Sequence, residues 1–204
     1  MNKQMVLAAA ALASIGLIGW AAYEMLSPGE SSQTSQNEVS RQTAGLNAAL
    51  AQGAMATFDL TEGRPSLPLD MQIQGPDGTM TLGDLRGQVL LINLWAEWCA
   101  PCIEEMPTLA ALEADMGSAD FRVVPISIDR SPVAQAQTVL EKFKAANLTT
   151  LADPSMRLMG DLGIIGLPAT LLVDREGREI GRLVGPADWN SPDAKALVKA
   201  ALAS

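Results

Sequence analysis

The sequence predicts an α/β sandwich built on a mixed central sheet with helices on both faces, and three observations carry that expectation. Strand and helix signals alternate along most of the chain. The run Val89–Trp95 is apolar at nearly every position, as a strand covered on both faces requires. Near the C-terminus, Asp174-Arg175-Glu176-Gly177 separates two apolar segments and marks an antiparallel hairpin.

The elements follow in order. After Lys3, positions 5–22 carry no charge for 18 residues, a length of roughly 27 Å as a helix. Residues 1–26 are therefore expected to be a membrane anchor. Lys3 precedes the apolar run and Glu24 follows it, which keeps the N-terminus cytoplasmic and exports the rest. A cleaved signal peptide is the alternative, with small residues Gly19 and Ala21 open to a peptidase; the apolar stretch is longer than the usual signal core of about 7–15 residues, which favours retention. Residues 27–56 read as a flexible tether. Its Ser, Gln, Thr and Gly give it little to bury, and one short helix is expected over 39–50.

The compact domain is expected over 57–204. Segments 71–74 and 79–81 flank Gly75-Pro76-Asp77-Gly78 and predict an extra N-terminal hairpin. Val89–Trp95 is the buried strand, followed by a helix over Ala100–Met116. Positions 123–128 are the next strand, although Pro125 fits it poorly. Ser131 is expected to cap a helix with Pro132 at its first position, burying Val133, Ala136, Val139, Leu140 and Phe143. Asp153-Pro154 is expected to open a shorter helix in the same way, which completes a central βα insertion. Strands at Ala169–Val173 and 178–184 form the hairpin, and Ser191-Pro192 starts a final amphipathic helix.

Composition narrows the chemistry. The 204 residues include no histidine, which removes Ser-His and Cys-His nucleophile pairs and His-ligated zinc. Two cysteines are too few for a Cys₄ zinc site or a disulfide-rich scaffold, and no metal ligand set is expected. The net charge of −9 argues against a nucleic-acid partner, which calls for clustered Lys and Arg.

Both cysteines lie in Trp98-Cys99-Ala100-Pro101-Cys102, where the buried strand meets its helix. Two intervening residues in a helical first turn bring the sulfurs within bonding reach with little backbone change between redox states. Cys99, at the helix N-terminus, feels the positive end of the dipole and is favoured as a thiolate. Cys102 shares the stripe of Met106, Leu109 and Met116 and faces the core. The outer thiol is expected to attack and the inner one to resolve, with no cofactor beyond this redox-active disulfide. A structural bridge is the bland alternative, but so short a loop constrains the unfolded chain little. From another class, a Cu(I) carrier could use both thiolates. Met156 and Met159, three apart, read as core packing rather than copper ligands, and Trp95 and Trp189 as packing residues.

Leu94-Trp95-Ala96-Glu97-Trp98-Cys99-Ala100-Pro101-Cys102 closely resembles the active-site stretch of thioredoxin, and Gly166-Leu167-Pro168-Ala169-Thr170 resembles that family's cis-proline loop. Glu104-Glu105-Met106-Pro107, the anchor, the hairpin and the insertion are similar to the membrane-anchored TlpA/ResA branch. The resemblance implies a thioredoxin fold and a thiol–disulfide oxidoreductase held at the bacterial inner membrane, with its catalytic domain in the periplasm. It implies a reductant of partner-protein cysteines, in copper-site assembly for cytochrome oxidase or, alternatively, of apocytochrome c, supplied by a membrane electron donor. Cys99 would be the nucleophile and Cys102 the resolving thiol, with Pro168 cis. Trp98, Ala100, Pro101, Leu167 and Pro168 would contact substrate.

One position departs from ordinary thioredoxin. Asn93 stands where thioredoxin has a buried aspartate, and an amide cannot take the Cys102 proton. The resemblance to the exported branch implies a replacement acid at Glu105, three residues past Cys102, where burial would raise a carboxyl pKa towards neutrality. The bland reading of Glu104 and Glu105 is that acids favour the first turns of a helix.

Overall fold

Branched aliphatic side chains suit a pleated, covered surface, and Val89–Trp95 forms a strand buried along its whole length. The computed structural model describes residues 52–204; the expected anchor, the tether up to residue 51 and its short helix lie outside the described residues. The described strands are β1 (Asp59–Leu60), β2 (Gln72–Gly75), β3 (Gly78–Thr81), β4 (Val89–Trp95), β5 (Phe121–Ser127), β6 (Leu151–Ala152), β7 (Ala169–Val173) and β8 (Glu179–Val184). The α-helices are α1 (Ala100–Met116), α2 (Val133–Lys142), α3 (Arg157–Asp161) and α4 (Pro192–Leu202).

The strands form one sheet in the order β1-β8-β7-β4-β5-β6-β2-β3. Central β4 runs parallel to β5, with Trp95 opposite Ser127, and antiparallel to β7, with Asn93 opposite Thr170. β5 runs parallel to the short β6, and β7 and β8 make the C-terminal hairpin. The β2–β3 hairpin joins the sheet where Gln74 pairs with Ala152. The sheet is mixed, as the sequence predicts.

Alternation along β4 divides the core. Val89, Leu91 and Trp95 face a layer holding Met106 and Leu109 of α1, Leu140 of α2 and Leu197 of α4. Leu90, Ile92 and Leu94 face the opposite layer, with Leu82, Leu85, Leu158 of α3 and Ile164. Each fully buried Leu or Val side chain contributes about 1.5–3 kcal/mol. Asn93 shares the parity of Leu91 and Trp95, so the strand presents an amide to the side occupied by α1. That parity builds the site.

Local expectations differ from the structure in several places. Ser131 does not cap α2. Pro132 occupies the cap position in extended conformation with no side-chain hydrogen bond, and its carbonyl accepts from Gln135 and Ala136. Asp153 does not open a helix directly. Its carboxylate accepts from Ser155 N and Leu158 N and holds a turn, so α3 begins only at Arg157. Met156 lies in that turn at φ +59° and is 40% exposed, so it is not a core residue; Met159 is half-buried against both layers. Residues 53–55, assigned by composition to the tether, form a 3₁₀ turn whose Met55 is fully buried.

Pro125 has a physical account. The Thr150 hydroxyl donates to its carbonyl from the β6 side. A strand residue points its C=O and N–H the same way, so the missing N–H faces that side too. There, β6 pairing begins only at Ile126. The proline removes no ladder bond.

Candidate active site

The end of β4 and the start of α1 carry the cysteines. Cys99 is the N-cap of α1 in extended conformation, and its carbonyl accepts from Ile103 N at 3.2 Å. Ala100 and Pro101 fill the first helical positions, where a missing N–H is harmless. Cys99 and Cys102 are joined as a disulfide with their Cα atoms 5.3 Å apart. Cys102 is fully buried and Cys99 is 5% exposed, so the outer sulfur is Cys99. Asp129, after β5, accepts from Glu97 N at 2.7 Å and fastens the loop leading into the pair. Trp98 is 68% exposed, so most of its ring faces solvent instead of packing on the protein.

The loop before β7 forms the other wall. The Leu167–Pro168 peptide bond is cis, Pro168 is buried and Leu167 half-buried. Gly185 N donates to Pro168 O at 2.8 Å. Further back, Arg182 donates to Leu162 O and pairs with buried Glu179, which also accepts from Thr61 Oγ1. The turn from α3 into the loop is thereby tied to β8.

Three residues past Cys102 on α1, Glu105 is 3% exposed. Asn93 Nδ2 donates to its Oε1 at 2.8 Å, and Ala187 N and Trp189 Nε1 each donate to its Oε2 at 3.2 Å. Burial pushes its pKa up from 4.5 to about 7, and the three donors, which favour the anion, offset part of that rise. Glu104, one residue away, is exposed. A surface pocket of about 290 Å³, lined by Glu104, Glu105, Thr108, Pro186, Ala187 and Asp188, brings solvent to the buried carboxyl. One helical turn therefore carries a sulfur pair and a carboxyl group able to hold or release a proton near neutrality.

The sequence singles out Glu105 but misses its partners. Trp189, read as packing only, is fully buried and spends its indole N–H on Glu105. A buried indole needs an acceptor, and that was the available signal. Thr170, opposite Asn93 on β7, accepts from the same amide at 2.9 Å. Among the described residues, no cluster of three or more His, Cys, Asp or Glu could hold a metal ion.

The Redoxin family matches this chain over residues 63–198, well over half its length. The chain belongs to the Redoxin family. Its curated relatives include the thiol:disulfide interchange protein HelX of Rhodobacter capsulatus, 33% identical over 61% of this chain and 68% of the relative. The thiol:disulfide interchange protein DsbE of Allochromatium vinosum is 35% identical over 60% of this chain and 64% of the relative. The thiol-disulfide oxidoreductase ResA of Bacillus anthracis is 27% identical over 51% and 59%. This Redoxin chain thus spans about six tenths to two thirds of those relatives. Among solved structures, one described as a DsbE-type interchange protein from Chlorobium tepidum superposes with a TM-score of 0.60. It is 26% identical, covering 70% of this chain and 99% of that one. The fold is thioredoxin-like, and this Redoxin protein is a thiol–disulfide oxidoreductase.

Proposed function

We propose that this oxidoreductase works as a reductant of disulfides in partner proteins outside the cytoplasm, tethered to the bacterial inner membrane by residues 5–22. The supporting observation is the Cys99–Cys102 pair at a helix N-terminus with a buried carboxyl three residues further on. In the reduced enzyme the Cys99 thiolate attacks one sulfur of a substrate disulfide; a mixed disulfide forms and one substrate thiolate leaves. Cys102 then gives its proton to the Glu105 carboxylate, and its thiolate attacks the Cys99 sulfur. The mixed disulfide breaks, the second substrate thiolate leaves, and two electrons have passed to the substrate. No other cofactor enters the cycle. A membrane electron donor restores the dithiol.

In this reading Trp98, Ala100, Pro101, Leu167 and Pro168 are the residues that contact substrate. Ala-Pro between the cysteines adds no side chain that stabilises a thiolate. That supports a potential nearer about −270 mV than about −120 mV. The proposed substrates are cysteines of copper-site assembly proteins. Trapping tests this on the full chain in its membrane. Cys102→Ser should accumulate a mixed disulfide through Cys99 with a copper-site protein, and Cys99→Ser should accumulate none. Capture of apocytochrome c would replace the substrate assignment. A potential near about −120 mV would make the protein an oxidant and end the reductant reading.

A further inference from the structure

Of the three donors on Glu105, the Asn93 amide is the nearest, and the same nitrogen also donates to Thr170 Oγ1. Its other end is different. Asn93 is fully buried, and its Oδ1 has no hydrogen-bond partner. An unpaired buried polar atom is destabilising, and one beside a proton-carrying group calls for a reason.

The reason lies in what each protonation state needs. A carboxylate only accepts, whereas a protonated carboxyl must place one donor. Ala187 N–H and Trp189 Nε1–H can only donate. On α1, Thr108 Oγ1 already donates to Glu105 O and accepts from Trp189 N. The charged groups at the pocket mouth are the exposed carboxyls of Glu104 and Asp188, and no cation acts on Glu105 among the described residues. From β4 and β7 come only Asn93 and Thr170. Two buried acceptors lack a partner among the described residues, Asn93 Oδ1 and Asn190 Oδ1, and only Asn93 already hydrogen-bonds Glu105.

We propose that the Asn93 amide turns by half a rotation about Cβ–Cγ when Glu105 takes up a proton, which reverses the donor–acceptor order of the Glu105–Asn93–Thr170 chain. With Glu105 ionised, Nδ2 donates to Glu105 Oε1 and to Thr170 Oγ1. With Glu105 protonated, its O–H and the Thr170 hydroxyl both donate to Oδ1. The two ends of an amide have nearly the same shape, so the rotation needs no repacking. One amide atom lacks a partner in either state, so no further bond is lost. Asn93 touches neither sulfur and is a positioning residue: it gives the carboxyl a partner both before and after it takes the Cys102 proton. That proton's origin rests on the proposed function.

Side-chain amide NMR tests this on the full chain in a neutral detergent, with ¹⁵N-labelled asparagine, from about pH 5 to about pH 9, a range that spans the Glu105 transition. On the basic side, the Asn93 NH₂ protons should show contacts with the Thr170 side chain; on the acid side those contacts should vanish. Glu105→Gln, which carries a permanent donor, should show the acid-side pattern throughout. The same contacts on both sides of a Glu105 transition would overturn the rotation while leaving the relay intact. Identical pH–rate profiles for wild type and Glu105→Gln would remove the relay, and the inference with it.

Discussion

A buried carboxyl group one helical turn from a redox pair records its cost in the pH dependence of folding. In the fold, Glu105 holds its proton up to about pH 7, against an ordinary value of 4.5. The unfolded chain has therefore released that proton while the folded one still keeps it. Its contribution to stability is full below pH 4.5 and is lost as pH rises through 7. In the oxidised protein, Glu105→Gln should gain about 2 kcal/mol relative to wild type between about pH 5 and about pH 8. Denaturant titrations at the two pH values check this, and a constant difference would show that burial does not raise this carboxyl. Trp189→Phe keeps a ring in place and deletes one donor to the anion. Its Glu105 midpoint should rise by about one pH unit, readable by ¹³C titration of the carboxyl. An unmoved midpoint would reduce Trp189 to packing. Glu105 was legible in the sequence because the resemblance to the exported branch implies an acid there, and one helix carries it three residues past Cys102. Its donors were not, since Asn93 and Trp189 reach it from β4 and from the segment before α4, and no local pattern encodes a contact between such distant residues.

Elements with many residues of one period were legible, and those with few were not. Val89–Trp95 and Ala100–Met116 lie where apolar runs and helical spacing put them, and Ser191 caps α4 by accepting from Ala194 N. The two-residue strands β1 and β6 offer no period to read, and tertiary pairing alone defines them. The caps of α2 and α3 went astray for a related reason: Ser131 and Asp153 have the right chemistry, but the turn geometry next to a proline decides which atom meets the helix. β1 shows how such a strand is held. A Cβ on Gly181 of β8 would stand 2.5 Å from Asp59 O and 2.6 Å from Phe58 Cε1, so only glycine lets β1 lie against β8 here. Gly181→Ala should displace β1 and Phe58 and cost about 1–3 kcal/mol. Equilibrium unfolding checks the cost, and amide exchange at Leu60 and Thr61 should accelerate. Unchanged exchange would mean that β1 tolerates the methyl group.

For the molecule as a whole, the redox chemistry and the stability of the fold are two sides of one cycle. A pair poised to give electrons away is one whose oxidised fold is favoured over its reduced fold. The strong oxidant at about −120 mV owes its potential to a stabilised reduced form, and a difference of about 150 mV corresponds to roughly 7 kcal/mol for two electrons. The features around the pair bear on which side this protein takes. The helix N-terminus favours a Cys99 thiolate, but Ala100 and Pro101 offer it no side-chain donor, and Cys102 is fully buried with the buried acid Glu105 three residues further on. A reduced state that must keep a buried thiol on the same helical turn as a carboxyl of pKa about 7 gains little from the site. The oxidised protein should therefore resist denaturant better than the dithiol form at pH 7. Parallel unfolding curves with and without a dithiol reductant measure the difference. If the reduced form is the more stable, the pair draws electrons from its partners, and the proposed direction of exchange is reversed.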